Sequence, residues 1–323
     1  MVASKSGRAD VAEVLLERGA SVDKTDEDGW TPLFHAVRNN HLEVVQILLD
    51  KGATVDTRTT LYNVLTRKGY RVTETPLEIA AKQGNAQIAE QLLNHNTSVG
   101  APKDKKEASK TDKADKSKVT RGKDLTRALG MAVTYGHKDV VRVLLEGHAN
   151  VDAEIEGRKT PLMIAAGSGF TDVVKLLLDW GAEVDKADRD KRTPLLHAAS
   201  SSKLEIVQML LDKGATVDKK SRTGVTPLMI AASCSKDIVE ILLDHGAKAD
   251  PVDEDGWTPL FYAARGGKLE VVQLLLDKGA TLDKECKGGW TPLTHAALSA
   301  NAEIVQTLLD KGAIVDNLFK ARK

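Results

Sequence analysis

The chain has 323 residues, with 46 Lys and Arg balanced by 46 Asp and Glu, two cysteines and an aromatic content of only 4%. Zero net charge argues against a generic nucleic-acid or membrane-surface role for the folded body, and two cysteines exclude a disulfide framework and suggest a reducing compartment. No apolar run approaches the roughly 20 residues of a membrane-spanning helix and Met1 to Asp10 holds no apolar signal core, so a cytoplasmic setting without membrane contact is expected, the nucleus left open.

The dominant pattern is repetition. Thr-Pro-Leu begins at Thr31, Thr75, Thr160, Thr193, Thr226, Thr258 and Thr291, and a degenerate Arg127-Ala128-Leu129 fills the one gap. Successive spacings are 44, 52, 33, 33, 33, 32 and 33 residues, a period of 33 with two insertions and one deletion. A fixed period of this size predicts stacked short units in place of a globule with a central core.

In chain order, residues 1–30 read as a truncated half repeat. Aligning Asp10 with Glu43 puts Ala3 opposite Ala36, so the helix that Thr-Pro-Leu should start is missing, and two readings stay open: a fragment of a longer array, or an irregular cap. Residues 31–98 hold two repeats, interrupted near 57–73 by 11 extra residues around Leu61 and Tyr62. That insertion is expected to fold back as an elongated hairpin or a short turn of helix, either a tolerated surface insertion or a finger that grips a partner.

Residues 99–123 differ in character. The stretch 103–123 has nine Lys or Arg against four acids and no aromatic residue, so disorder is expected. It reads as a spacer, with attachment to an acidic partner as the rival. The stack either continues across it or splits there; Gln91 and Thr307, polar where Leu274 is apolar, hint at a weaker junction beside it. Residues 124–316 then form a nearly continuous array of six repeats, with the turn at Ser233 to Lys236 one residue short, and 317–323 form a basic tail in which Leu318 and Phe319 could cover the last helix pair.

The copy at 252–280 shows how one unit works. Thr258 can cap a helix whose first residue, Pro259, has no N–H to leave unsatisfied. Leu260, Ala263 and Ala264 give that helix an apolar stripe, and Gly266-Gly267 break it. A second, leucine-rich helix runs from Leu269 to Lys278 and ends at Gly279, where a left-handed residue is needed. The same stop is Asn96 or His148 in two copies, both residue types that tolerate positive φ. Asp and Gly at turn positions make the preceding segment a hairpin-like finger. The fold class is therefore an all-α repeat solenoid of eight full units and an N-terminal half unit.

At Thr-Pro-Leu, the Ala-Ala pair, the Val-Val and Leu-Leu helix and the closing Gly-Ala, the chain resembles the ankyrin repeat family over residues 8–98 and 124–316. One departure is visible: histidine falls one residue late, at His35, His197 and His295, so the family's Thr–His network cannot be carried over from sequence. The resemblance implies that the residue before Thr-Pro-Leu and the pair ending the first helix lie along a concave side used for partners. Those series and their neighbours supply the candidate contacts Trp30, Arg38, Tyr135, Lys159, Arg192, Trp257, Tyr262, Arg265 and Trp290. Trp257, Trp290 and Arg265, with Tyr262, form the first-choice patch because Trp and Arg most often dominate interface energetics. The competing reading is that each tryptophan packs on the adjacent finger and stiffens the array.

Motifs for chemistry are lacking. The sequence has no Walker loop, GxGxxG, HExxH, CxxC or GxSxG, and the DEDG segments at 26–29 and 253–256 fail as calcium loops because Lys24 or Pro251 stands first and His35 or Tyr262 twelfth. The eight histidines are scattered in repeat-equivalent or loop positions. No cofactor, metal or catalytic activity is expected. The expected function is that of a monomeric scaffold or adaptor binding another protein, not nucleic acid; the alternatives are a regulatory segment of a larger enzyme or channel, and a Lys-rich loop for an acidic partner.

Overall fold

A computed structural model describes residues 1–57, 59–62, 71–98 and 111–315, and the chain divides into two compact units, Met1–Ile155 and Glu156–Lys323. Both are stacks of helix pairs of the all-α repeat class.

The first unit contains α1 (Val2–Ser6), α2 (Ala9–Glu17), α3 (Pro32–Arg38), α4 (Leu42–Asp50), α5 (Pro76–Gln83), α6 (Ala86–Ser98), α7 (Thr111–Thr134) and α8 (Lys138–Glu146). The second contains α9 (Pro161–Ser168), α10 (Thr171–Asp179), α11 (Pro194–Ser200), α12 (Leu204–Asp212), α13 (Pro227–Ala232), α14 (Lys236–Asp244), α15 (Pro259–Arg265), α16 (Leu269–Asp277), α17 (Pro292–Leu298) and α18 (Ala302–Asp310). Every Thr-Pro-Leu starts a helix in the way its chemistry requires. The threonine hydroxyl accepts the N–H three residues on, at 3.2 Å from Phe34 to Thr31 and 3.5 Å from Phe261 to Thr258, and proline takes the first helical position.

The core is a repeated seam. First helices bury their alanines completely, as at Ala80, Ala165, Ala198 and Ala263, while second helices bury pairs such as Val173 and Val174 or Ile206 and Val207. In the second unit the alanine-lined first helices pack more closely on one another than the second helices do. Small side chains permit that approach. Its fingers are joined by backbone bonds, with the N–H of Glu254 donating to the carbonyl of Thr223 (3.0 Å) and that of Lys287 to Asp255 (2.9 Å). Loop carboxylates add a staple to the next repeat, as where Asp250 accepts the N–H of Thr281 at 2.9 to 3.0 Å.

Several sequence expectations need revision. The first helix of the N-terminal copy is not missing: α1 is present, shortened to five residues, with Ala3 buried and α1 packed on α3. The insertion near 57–73 needs no such revision: of the two forms expected, its two antiparallel strands, β1 (Thr59–Tyr62) and β2 (Arg71–Glu74), with Thr59 opposite Glu74 and Tyr62 opposite Arg71, agree with the elongated hairpin. Of the Lys-rich stretch, 99–110 lie outside the described residues, but 111–123 are helical in α7, against the expectation of disorder. The physical reason is the degenerate triplet. Arg127-Ala128-Leu129 lacks both the capping threonine and the proline that begin the other first helices, so nothing starts the helix at 127. Once its docked end is formed, helix extends upstream without a second nucleation cost. Asn96 likewise lies inside α6 and is no left-handed stop, whereas His148 is, at φ 65°.

The stack does not split at the Lys-rich stretch. Within the first unit α5 packs on α7 and α6 on α8. The side chain of Arg127 lies 3.0 Å from the fully buried Glu78 carboxylate, and its Nη2 donates to the carbonyl of Thr73 at 3.2 Å. Gln91, half-buried in that junction, has a side-chain oxygen with no hydrogen-bond partner among the described residues, yet the helices around it still pack. The tail 317–323 lies outside the described residues.

Candidate partner-binding face

Three fingers are held by a carboxylate that works twice. Asp26 Oδ1 accepts the N–H groups of Asp28 (3.1 Å) and Trp30 (2.8 Å), and its Oδ2 lies 2.8 Å from His35 Nε2. Asp188 does the same for Asp190, Arg192 and His197, and Asp253 for Asp255 and Trp257, with the Tyr262 hydroxyl donating to its Oδ2 at 2.8 Å. An aspartate at this turn thus closes the finger and ties it to the first helix nine residues on. At His35 and His197 the late histidine serves this clamp, which is where the departure from the family's usual pattern finds its partner.

The residue before Thr-Pro-Leu stands beside the residue seven past the triplet's threonine. In one copy these are Glu74 and Lys82, an ion pair at 3.2 Å. Elsewhere they are Trp30 and Arg38, the guanidinium 4.7 Å from the ring centroid, and Trp257 and Arg265 at 5.1 Å. A guanidinium over an indole face is a cation–π contact that orders a long side chain at the surface.

The candidate contacts fall into separate clusters. In the first unit Trp30 lies on the buried Phe34 (centroids 4.8 Å) and His35 (5.1 Å), with Arg38 above and its Nε1 buried without an acceptor among the described residues. Tyr135, 52% exposed, stacks at 6.2 Å on His137. In the second unit the exposed Lys159 and Arg192 flank His197. Burial pushes that imidazole below its ordinary 6.5, the bond to Asp188 opposes the shift, and the two cations add to it. The fourth cluster gathers four candidates. Trp257 stacks on buried Phe261 (5.8 Å) and meets Tyr262 edge-on (5.7 Å), and His295 sits between Trp257 (4.9 Å) and Trp290 (5.2 Å). Burial and the bond to Asp253 raise the Tyr262 hydroxyl well above its ordinary 10, and burial with the Arg265 charge pushes His295 below 6.5. Both groups are uncharged at neutral pH, so the cluster presents a half-buried aromatic surface with one fixed cation.

The sequence reading missed the joining residues. Phe34 and Phe261 are platforms, His295 is the wedge between two tryptophans, and the finger aspartates fix the geometry. The signal was present: acid and His or Tyr recur nine residues apart at 26 and 35, 188 and 197, and 253 and 262.

Other fingers depart from this: in one, the Ser221 hydroxyl accepts the N–H of Val225 at 3.1 Å, and the last finger differs again. Cys286 takes the aspartate's place, with its N–H still donating to the Trp290 carbonyl at 2.9 Å, but no carboxylate faces His295, whose ring has no hydrogen-bond partner among the described residues. Cys286→Asp should supply that acceptor and stabilise the second unit by about 1 kcal/mol, the net worth of one added hydrogen-bonded group. Urea midpoints would check this; a lower midpoint would contradict the clamp.

Among the described residues no helix is long and apolar enough to cross a membrane. No curated protein matches the chain. The family model described as ankyrin repeats (3 copies) matches residues 1–59, 106–188, 181–253 and 247–318, and that of the single ankyrin repeat matches 74–104. Such repeats generally mediate protein–protein interaction. Helix pairs, capped fingers and these matches over most of its length agree, and the chain belongs to the ankyrin repeat family.

Proposed function

We propose that this chain is a protein-binding adaptor that holds its partner on the finger and first-helix face, with the Trp257, Tyr262, Arg265 and Trp290 cluster as its main contact. The observation that carries this reading is the wedge of His295 between Trp257 and Trp290, with the Arg265 guanidinium stacked on Trp257. Two indoles and an arginine are fixed before any partner arrives, which lowers the ordering cost of association. Packing and recognition are not rivals here: one flank of each indole is used by the repeat, and both remain partly exposed.

The test is affinity capture from lysate, followed by titration of the captured partner with the wild type and with Trp257→Ala/Trp290→Ala. Affinity should fall at least about tenfold, on the scale of interface hot spots. Undiminished affinity with an intact circular dichroism spectrum would refute the location of the face.

A further inference from the structure

The strongest unexplained regularity is a duplication. Residues 26–38 read DEDGWTPLFHAVR and residues 253–265 read DEDGWTPLFYAAR, identical at 11 of 13 positions. Both differences leave the finger clamp in place, while the indole lies at 53° to Phe34 in one copy and at 15° to Phe261 in the other. His35 and Tyr262 each reach the finger aspartate at 2.8 Å, and Val37 and Ala264 are both fully buried. Of the seven Thr-Pro-Leu copies and the degenerate one, only these two combine Trp before the triplet with Arg at the end of the first helix, since Trp290 is paired with Leu298. One copy lies in each compact unit.

Both copies hold the same chemistry. Arg38 and Arg265 are exposed, ordered on their indoles, and in no ion pair among the described residues, whereas Arg127 and Arg222 do pair with acids. An ordered guanidinium with its fork of N–H groups free is suited to a carboxylate. Two and three residues before each tryptophan the fingertip presents the exposed acids Glu27 and Asp28, or Glu254 and Asp255. A ligand that satisfies the arginine, the indole and the fingertip carries an acidic side chain for the first, an apolar one for the second and a basic one for the third.

We infer that the chain is bivalent: Trp30 with Arg38 and Trp257 with Arg265 are equivalent subsites for the same short acidic, apolar, basic protein segment, so that one chain engages two copies of it. This rests on the contact-face reading above and extends it to the first unit. Its consequence is avidity for partners that repeat the segment.

The test uses the full chain and the blocked tripeptide acetyl-Glu-Leu-Lys-amide, followed through the indole N–H signals of Trp30 and Trp257 by NMR. Both signals should move, with dissociation constants within about threefold of each other, because the contacting groups are the same. Arg38→Ala should weaken the Trp30 response about fivefold and leave that of Trp257 unchanged, and Arg265→Ala should do the reverse, the upper range for one exposed charge pair. Acetyl-Gln-Leu-Lys-amide should bind both subsites about fivefold more weakly for the same reason. A response from Trp257 alone would overturn the duplication while leaving the contact face standing. A response from neither, with partner capture still lost in Trp257→Ala/Trp290→Ala, would overturn the ligand chemistry only; intact capture in that variant would remove both.

Discussion

Truncation of Phe261 to alanine is expected to lower the unfolding free energy of the second unit by about 3–5 kcal/mol, the usual cost of deleting a buried aromatic ring. Phe261 is fully buried, lies 5.8 Å from Trp257 at an interplanar angle of 15°, and touches His295 of the next repeat at 5.4 Å. Its loss leaves a cavity and removes the floor of the aromatic cluster. Phe261→Leu, which fills most of the volume, should cost less than about 1.5 kcal/mol. Each repeat in such a stack leans mainly on its neighbours, so urea unfolding and hydrogen exchange should show the damage centred on α13 to α18. A loss below about 1 kcal/mol for the alanine variant would mean that the ring contributes far less than a buried aromatic should.

Replacement of Arg127 by methionine should destabilise the first unit by about 3 kcal/mol, the lower end for breaking a buried ion pair, because one partner still meets water. Glu78 is 0% exposed and Arg127 41%. The Glu78 carboxylate also accepts the N–H of Thr75 at 3.1 Å, so removing the guanidinium takes a facing cation from a buried charge without removing its cap bond. Adding Glu78→Gln should recover most of the loss, since glutamine keeps an acceptor for Thr75 and carries no charge. Because the two residues stand on opposite sides of the Lys-rich stretch in sequence, hydrogen exchange of α5 to α8 reads directly whether the seam is continuous there. If Arg127→Met left exchange in those helices unchanged, the pair would not be holding them.

What the sequence revealed depends on how local the cause was. Each Thr-Pro-Leu carries its own cap and its own proline, so helix starts from Thr31 to Thr291 could be read from three letters. Alanine and leucine spacing then told which faces are buried. Where the local signal is absent, neighbours decide. The helix over Thr111 to Lys123 continues one anchored at Leu125 to Val133. Asn96 looked like a stop by alignment, but α6 runs through it to Ser98. Five residues were enough to form α1 because α3 offers it a partner surface.

The candidate face was legible as two series of positions but not as contacts. That Trp30 lies under Arg38, and Trp257 under Arg265, goes with a finger folded back by Asp26 or Asp253, a tertiary consequence of an acid nine residues from a His or Tyr. His295 was not among the candidate contacts: its aspartate is replaced by Cys286, and its two aromatic neighbours come from different repeats. Only packing brings them together.

The most direct measurement is hydrogen exchange of the full chain with and without its captured partner. Slower exchange is expected at residues 253–257 and 286–290 and in α15 and α17, with α16 and α18 unchanged. Protection confined to the second helices, or found nowhere in these repeats, would contradict the account.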